Sequence, residues 1–135
     1  MKYLIGITSS NTKHQSILNN SYIRAFTTDQ TTPSIIPTQF EIKNEFISKE
    51  EEDNMALEAK LYAAKFDALI LSGGVDLNPL VIGEKVRESN SFSQARDFFE
   101  KELVKAFTEE DKPVLGICRG FQLLGNIFGL NYFQQ

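Results

Sequence analysis

The only cysteine, Cys118, stands in Gly116-Ile117-Cys118-Arg119-Gly120, with the apolar residues Val114 and Leu115 just before it. That arrangement suits nucleophilic chemistry. A sharp strand-to-helix turn strains its central residue and projects the side chain into a crevice, while flanking glycines remove side chains that would collide with the adjoining elements. A cysteine so placed also sits at a helix N-terminus, where unbonded N–H groups and the helix dipole favour the reactive thiolate. The other reading of a solitary cysteine is a small buried hydrophobe. The strand before Cys118, the glycines around it and the helix after it weigh against that. Gln122 lies four residues on, where it either hydrogen-bonds a substrate amide or is a partly exposed helix residue. An oxyanion formed by attack needs donors. Ser72-Gly73-Gly74 offers backbone N–H groups that no side chain obstructs, and the Arg119 N–H would complete the hole.

The elements that must position these residues follow a repeated pattern of strand, turn and helix. Residues 3–8 read as a buried first strand, apolar on both faces. A polar loop over 9–21 leads to a helix at 22–26, with a start as early as Gln15 left open. Pro33 to Pro37 suits a short strand near a sheet edge. Residues 38–48 give no clear reading. Ser48 followed by Glu51 starts a helix that runs to Lys65, with Met55, Leu57, Leu61, Tyr62 and Ala64 available for its buried stripe. Residues 67–71 form a third strand ending at Ser72-Gly73-Gly74, and a loop with Asn78-Pro79 and Gly83 follows. Ser93 to Thr108 is an amphipathic helix carrying Phe98, Phe99, Leu103, Val104 and Phe107. Residues 113–117 form a fourth strand and 121–128 a helix. This alternation predicts an α/β domain with a mainly parallel sheet and right-handed crossovers, its site beyond the carboxyl ends of the strands.

Composition narrows the function classes. The 135 residues, 41% hydrophobic and 24% charged, fit one folded domain over 1–135. Fourteen Lys and Arg against eighteen Asp and Glu give a net charge of -4, with no basic cluster, which argues against a nucleic-acid partner. One cysteine permits no intrachain disulfide, and the simplest setting is cytoplasmic. The apolar start, Leu4-Ile5-Gly6-Ile7, is too short for a signal peptide, and no stretch has membrane-spanning length. No metal or cofactor is expected.

Several segments together resemble the peptidase C26 group, the gamma-glutamyl hydrolases and gamma-glutamyl-gamma-aminobutyrate hydrolase-like enzymes of the class I glutamine amidotransferase superfamily. They are Ile5-Gly6-Ile7-Thr8, Leu71 to Pro79, Gly83-Glu84, Arg96-Asp97 with Glu100, Lys112 to Gln122, and Phe128-Gly129 through Gln134. Ile82 departs from the tyrosine usual before Gly-Glu. The resemblance implies a flavodoxin-like three-layer sandwich. It also implies that Cys118 attacks the side-chain carbonyl of a small-molecule gamma-glutamyl amide, forming a thioester that water cleaves. By the same carry-over Gly74 and Arg119 give oxyanion-hole N–H groups, and Gly73 and Gln122 contact the substrate.

Family members complete a Cys-His-Glu triad with residues well downstream of the nucleophile, whereas this sequence ends seventeen residues after Cys118. The expectation is therefore a C-terminally truncated domain, weak or inactive alone. His14, the only histidine, lies in the loop after strand one and reads first as an exposed loop residue; Asp76 and Glu84 read as turn and solvent residues. The fourth strand would be left as an open apolar edge, suited to a second chain or self-association. Three readings follow: part of a hydrolase, one piece of a split enzyme, or a non-catalytic module that binds a glutamyl amide.

Overall fold

The computed structural model describes residues 2–44, 46–73 and 85–129, with the backbone alone for 85–91. Along the chain run β1 (Tyr3–Thr8), β2 (Ser10–Asn11), β3 (Ser16–Ile17), α1 (Asn20–Phe26), β4 (Thr31–Ile36), α2 (Lys49–Lys65) and β5 (Ala68–Leu71). Then come α3 (Lys85–Glu109), β6 (Val114–Gly116) and α4 (Arg119–Ile127). Four strands pair in parallel in the order β4-β1-β5-β6, and β2 and β3 form a separate antiparallel pair. Apart from that hairpin, the strands stand in the order 2-1-3-4 of a flavodoxin-like sheet. The α/β class and the mainly parallel sheet flanked by helices are as the sequence predicts.

Strand pleating sorts the core into two layers. Ile5, Ile7 and Ile70 face one side, where Leu18, Tyr22 and Phe26 pack on them. Leu69 and Leu71 face the other, against Met55, Ala59 and Ala63 of α2 and Phe99, Leu103 and Phe107 of α3. On the first face the register sets Ile35, Ile7, Ile70 and Leu115 in one row across all four strands. The middle two are buried, while Ile35 is 38% and Leu115 49% exposed. Among the described residues β6 is thus an outer strand with an open apolar side chain.

Start signals act as expected for α2. Ser48 accepts from the Glu51 N–H at 3.1 Å, and Glu51 Oε1 accepts from the Ser48 N–H at 3.0 Å, a full capping box. Its buried stripe is different from the predicted one. Met55, Ala59 and Ala63 are buried, Tyr62 is half-buried, and Leu57, Leu61 and Ala64 are exposed. Small residues at four-residue spacing let α2 press onto α3 and the sheet, which turns the two leucines outward. There they line a groove of about 650 Å³ with Phe40 and Lys65.

Three boundaries also shift. No helix begins at Gln15: residues 16–17 are β3, and α1 starts after Asn19, whose side chain accepts from the Ser21 N–H at 2.9 Å. The edge strand β4 begins two residues before Pro33, and α3 begins at Lys85, ahead of the expected Ser93. The loop with Asn78-Pro79 and Gly83 and the segment after Gly129 lie outside the described residues.

Candidate active site

Cys118 occupies the N-cap of α4 with φ 53° and ψ -110°. It is one of two described non-glycine residues with positive φ, a conformation costly for an L-residue and held only when its surroundings dictate it. The surroundings do. A Cβ added at Gly120 would stand 2.1 Å from the Leu71 carbonyl oxygen, and one at Gly116 2.5 Å from the Gly120 oxygen. The strand β6, the neighbouring β5 and the first turn of α4 therefore meet backbone to backbone. Ile117 donates its N–H to the Leu71 oxygen at 3.0 Å, extending the ladder to the residue before the cysteine. Cys118 itself is exposed and unbonded to another cysteine.

Gly73 lies against this turn. A Cβ there would stand 3.3 Å from Cys118 Cβ and 3.2 Å from the Tyr22 hydroxyl. The Gly73 N–H donates to that hydroxyl at 3.0 Å, so in this arrangement Tyr22 takes a donor that the sequence left free for substrate. Nothing in the sequence singles out Tyr22, one residue of a short helical segment. Arg119 is the first residue of α4, and helix geometry leaves its N–H without an intrahelical acceptor. Gln122 is exposed on the same first turn, its N–H bonded to the Cys118 oxygen at 3.1 Å. Gly74, Asp76 and Glu84 lie outside the described residues. His14 is exposed in the turn between β2 and β3, its backbone N–H 3.4 Å from Thr12 Oγ1, and no hydrogen bond or ion pair joins it to Cys118.

Behind the turn lies a buried charged cluster. Glu100, wholly buried, accepts from Thr8 Oγ1 at 2.5 Å and from Arg119 Nη1 at 2.6 Å. Arg119 Nη2 pairs with Asp97. Arg96 Nε stands 3.1 Å from Glu100 Oε2, close enough for ion pairing but without the alignment of a hydrogen bond. Its other nitrogens donate to Ser10 Oγ at 3.1 Å, to the Ser72 oxygen at 3.1 Å and to Ser72 Oγ at 2.9 Å. Burial lowers the Arg96 pKa and the nearby Glu100 offsets part of this; for Arg119 burial is outweighed by Glu100 and Asp97, which raise it. Both guanidiniums stay charged. Removing one member of such a cluster costs about 3–5 kcal/mol, because its partner is left uncompensated. The signal was present in the sequence: Arg96 and Glu100 sit four apart within the apolar stripe of α3, beside Phe92, Ala95, Phe99 and Leu103.

Among the described residues no group of three or more His, Cys, Asp or Glu could hold a metal ion, and no helix is long and apolar enough to cross a membrane. The Cys118 thiol thus stands on a strained strand-to-helix turn at the carboxyl end of β6 in a parallel sheet. The peptidase C26 family model matches residues 3–135, and the chain belongs to that family. It is 41% identical over 76 residues to a glutamine amidotransferase-like protein, a YvdE homolog, of Lactococcus lactis subsp. cremoris, covering 56% of this chain and 40% of the relative. It is 36% identical over 80 residues to the protein NtpR of Enterococcus hirae, covering 56% and 32%. With the gamma-glutamyl-CDP-amidate hydrolase of Campylobacter jejuni it shares 39% over 67 residues, covering 50% and 30%. The chain thus matches well under half the length of these relatives.

Proposed function

We propose that the chain carries the nucleophile side of a hydrolase for gamma-glutamyl amides, of the glutamine amidotransferase type. Cys118 Sγ attacks the side-chain carbonyl, and the resulting oxyanion is met by the Arg119 N–H, with Gly74 assigned as second donor. Collapse breaks the C–N bond, releases the amine with a proton, and leaves a gamma-glutamyl thioester on Cys118. Water then cleaves the thioester to glutamate. Gln122 on the first turn of α4 and the Gly73 turn contact the glutamyl group. The carrying observation is the positive φ of Cys118 at the strand-to-helix junction, held by the contacts of Gly116 and Gly120.

The amine must leave protonated and the attacking water must lose a proton. In the family a His and Glu do this. Here the single histidine, His14, is exposed and unlinked to Cys118, so both acylation by an amide and hydrolysis of the thioester are expected to be slow with these residues alone. The chemistry calls for a base from outside these residues, carried by a further part of the same polypeptide or by a second one. An exposed catalytic thiol suits a reducing setting, and we assign the protein to the cytoplasm on that ground. The test is incubation of the chain with glutamine or gamma-glutamyl-aminobutyrate, with assay of released glutamate and of amine. Cys118→Ala is expected to abolish any release. Release that survives this substitution overturns the proposal; binding of glutamine without any Cys118-dependent chemistry supports the binding-module reading instead.

A further inference from the structure

We propose that Glu100 is a positioning residue that sets the two walls of the oxyanion hole relative to one another. The inference rests on the assignment of Cys118 as nucleophile and of the Arg119 N–H as oxyanion donor. Two segments form the walls. One is the first residue of α4, Arg119. The other is the turn after β5, beginning at Ser72-Gly73. The Ile117 N–H bond to the Leu71 oxygen and the close approach of Gly120 to Leu71 bring the two walls together, and a buried side-chain link across them would hold their spacing to the tolerance of a catalytic hydrogen bond.

The buried Glu100 carboxylate reaches both. Its Oε2 takes the Arg119 Nη1 donor at 2.6 Å, which anchors the side chain of the residue whose N–H borders Cys118. Its Oε1 takes the Thr8 hydroxyl proton at 2.5 Å, and that same hydroxyl oxygen accepts from the Ser72 N–H at 3.1 Å. A second route runs through Arg96, 3.1 Å from Glu100 Oε2 and bonded to both Ser72 oxygens. One carboxylate therefore links α3 to α4 on one side and to the ends of β1 and β5 on the other. Asp97 also holds Arg119, but its side chain is 54% exposed, so its pull is screened and its position less fixed. Glu100, with a side chain at 0% exposure, has nowhere else to go.

Two thiol reactions of the full chain separate positioning from mere support of the fold. The gamma-p-nitrophenyl ester of glutamate acylates Cys118 through an oxyanion. Its carbon–oxygen bond breaks to release nitrophenolate, and the thiol proton goes to solvent, so no catalytic acid is required. Iodoacetamide alkylates the same sulfur by direct displacement of iodide, with no oxyanion. The variants are Glu100→Gln and Arg119→Lys; the second keeps the backbone N–H, the charge and the buried Glu100–Arg96 pair, and carries the test should the first fail to fold. Each is expected to slow the nitrophenolate burst by about tenfold or more while alkylation keeps its wild-type rate and pH profile. The proposal is overturned by bursts at the wild-type rate, or by acylation and alkylation falling together. A wild-type burst that is absent, or that survives Cys118→Ala, would sink the nucleophile assignment itself and this inference with it.

Discussion

At the scale of single residues, the backbone of Cys118 is held by what its neighbours lack. Gly120 shows this most directly, since an added Cβ would lie 2.1 Å from the Leu71 oxygen and backbone cannot yield as a side chain can. Gly120→Ala is expected to destabilise the protein by at least about 2 kcal/mol, read as a lowered denaturation midpoint, and to lose Cys118 reactivity even where folded. A variant with wild-type stability would show that α4 has room to move off β5. The turn was legible because its logic is local: Gly-x-Cys-x-Gly between an apolar strand and a helix leaves few alternatives. Tyr22 was not legible, because its contact with Gly73 joins residues 51 positions apart. The Arg96–Glu100 pair lies between these cases. Two charges in an apolar stripe announce a buried network, but not that Arg119, Thr8 and Ser72 complete it.

At the scale of elements, β1 and α2 show which signals survive folding. The limits of β1 follow from its apolar run, and α2 starts where Ser48 and Glu51 cap each other. Ser48→Ala is expected to cost about 1 kcal/mol. The cap is also pH-dependent. Hydrogen bonds from the Ser48 N–H and hydroxyl side hold the Glu51 carboxyl below the usual glutamate range. A depressed folded pKa means stability that is present above the ordinary value near 4.5 and is lost as pH falls through the folded value. Glu51→Gln should flatten that acid limb of the melting temperature; an unchanged limb would assign it to other carboxylates. What periodicity missed in α2 is its buried face. Leu57 and Leu61 fit a helical stripe as well as Ala59 and Ala63 do, and only the close approach of α3 decides between them. The early start at Gln15 failed for a different reason: the Thr12 hydroxyl accepts from the Gln15 N–H at 3.2 Å, and the chain turns back as a hairpin.

At the scale of the whole molecule, the sheet buries its centre better than its margins. Leu115 continues the row of Ile7 and Ile70 yet is 49% exposed on the outer strand β6, and Phe121 of α4 and Phe128 just after it are 63% and 66% exposed. Such an edge invites pairing with another chain. We propose that copies of the chain associate along this edge, so that Leu115→Lys shifts the sedimentation of the purified chain toward monomer; sedimentation equal to that of the unsubstituted chain would overturn this. The parallel α/β class was legible from alternation and the flavodoxin-like layering from the family resemblance, whereas which strand margins stay open depends on register.

The most direct test of the account is intact-mass and peptide mapping of the chain after reaction with the gamma-p-nitrophenyl ester of glutamate. The account predicts a single gamma-glutamyl thioester on Cys118, cleaved by hydroxylamine and absent from Cys118→Ala. A folded protein with Cys118 unmodified, or with the adduct on another residue, would contradict it.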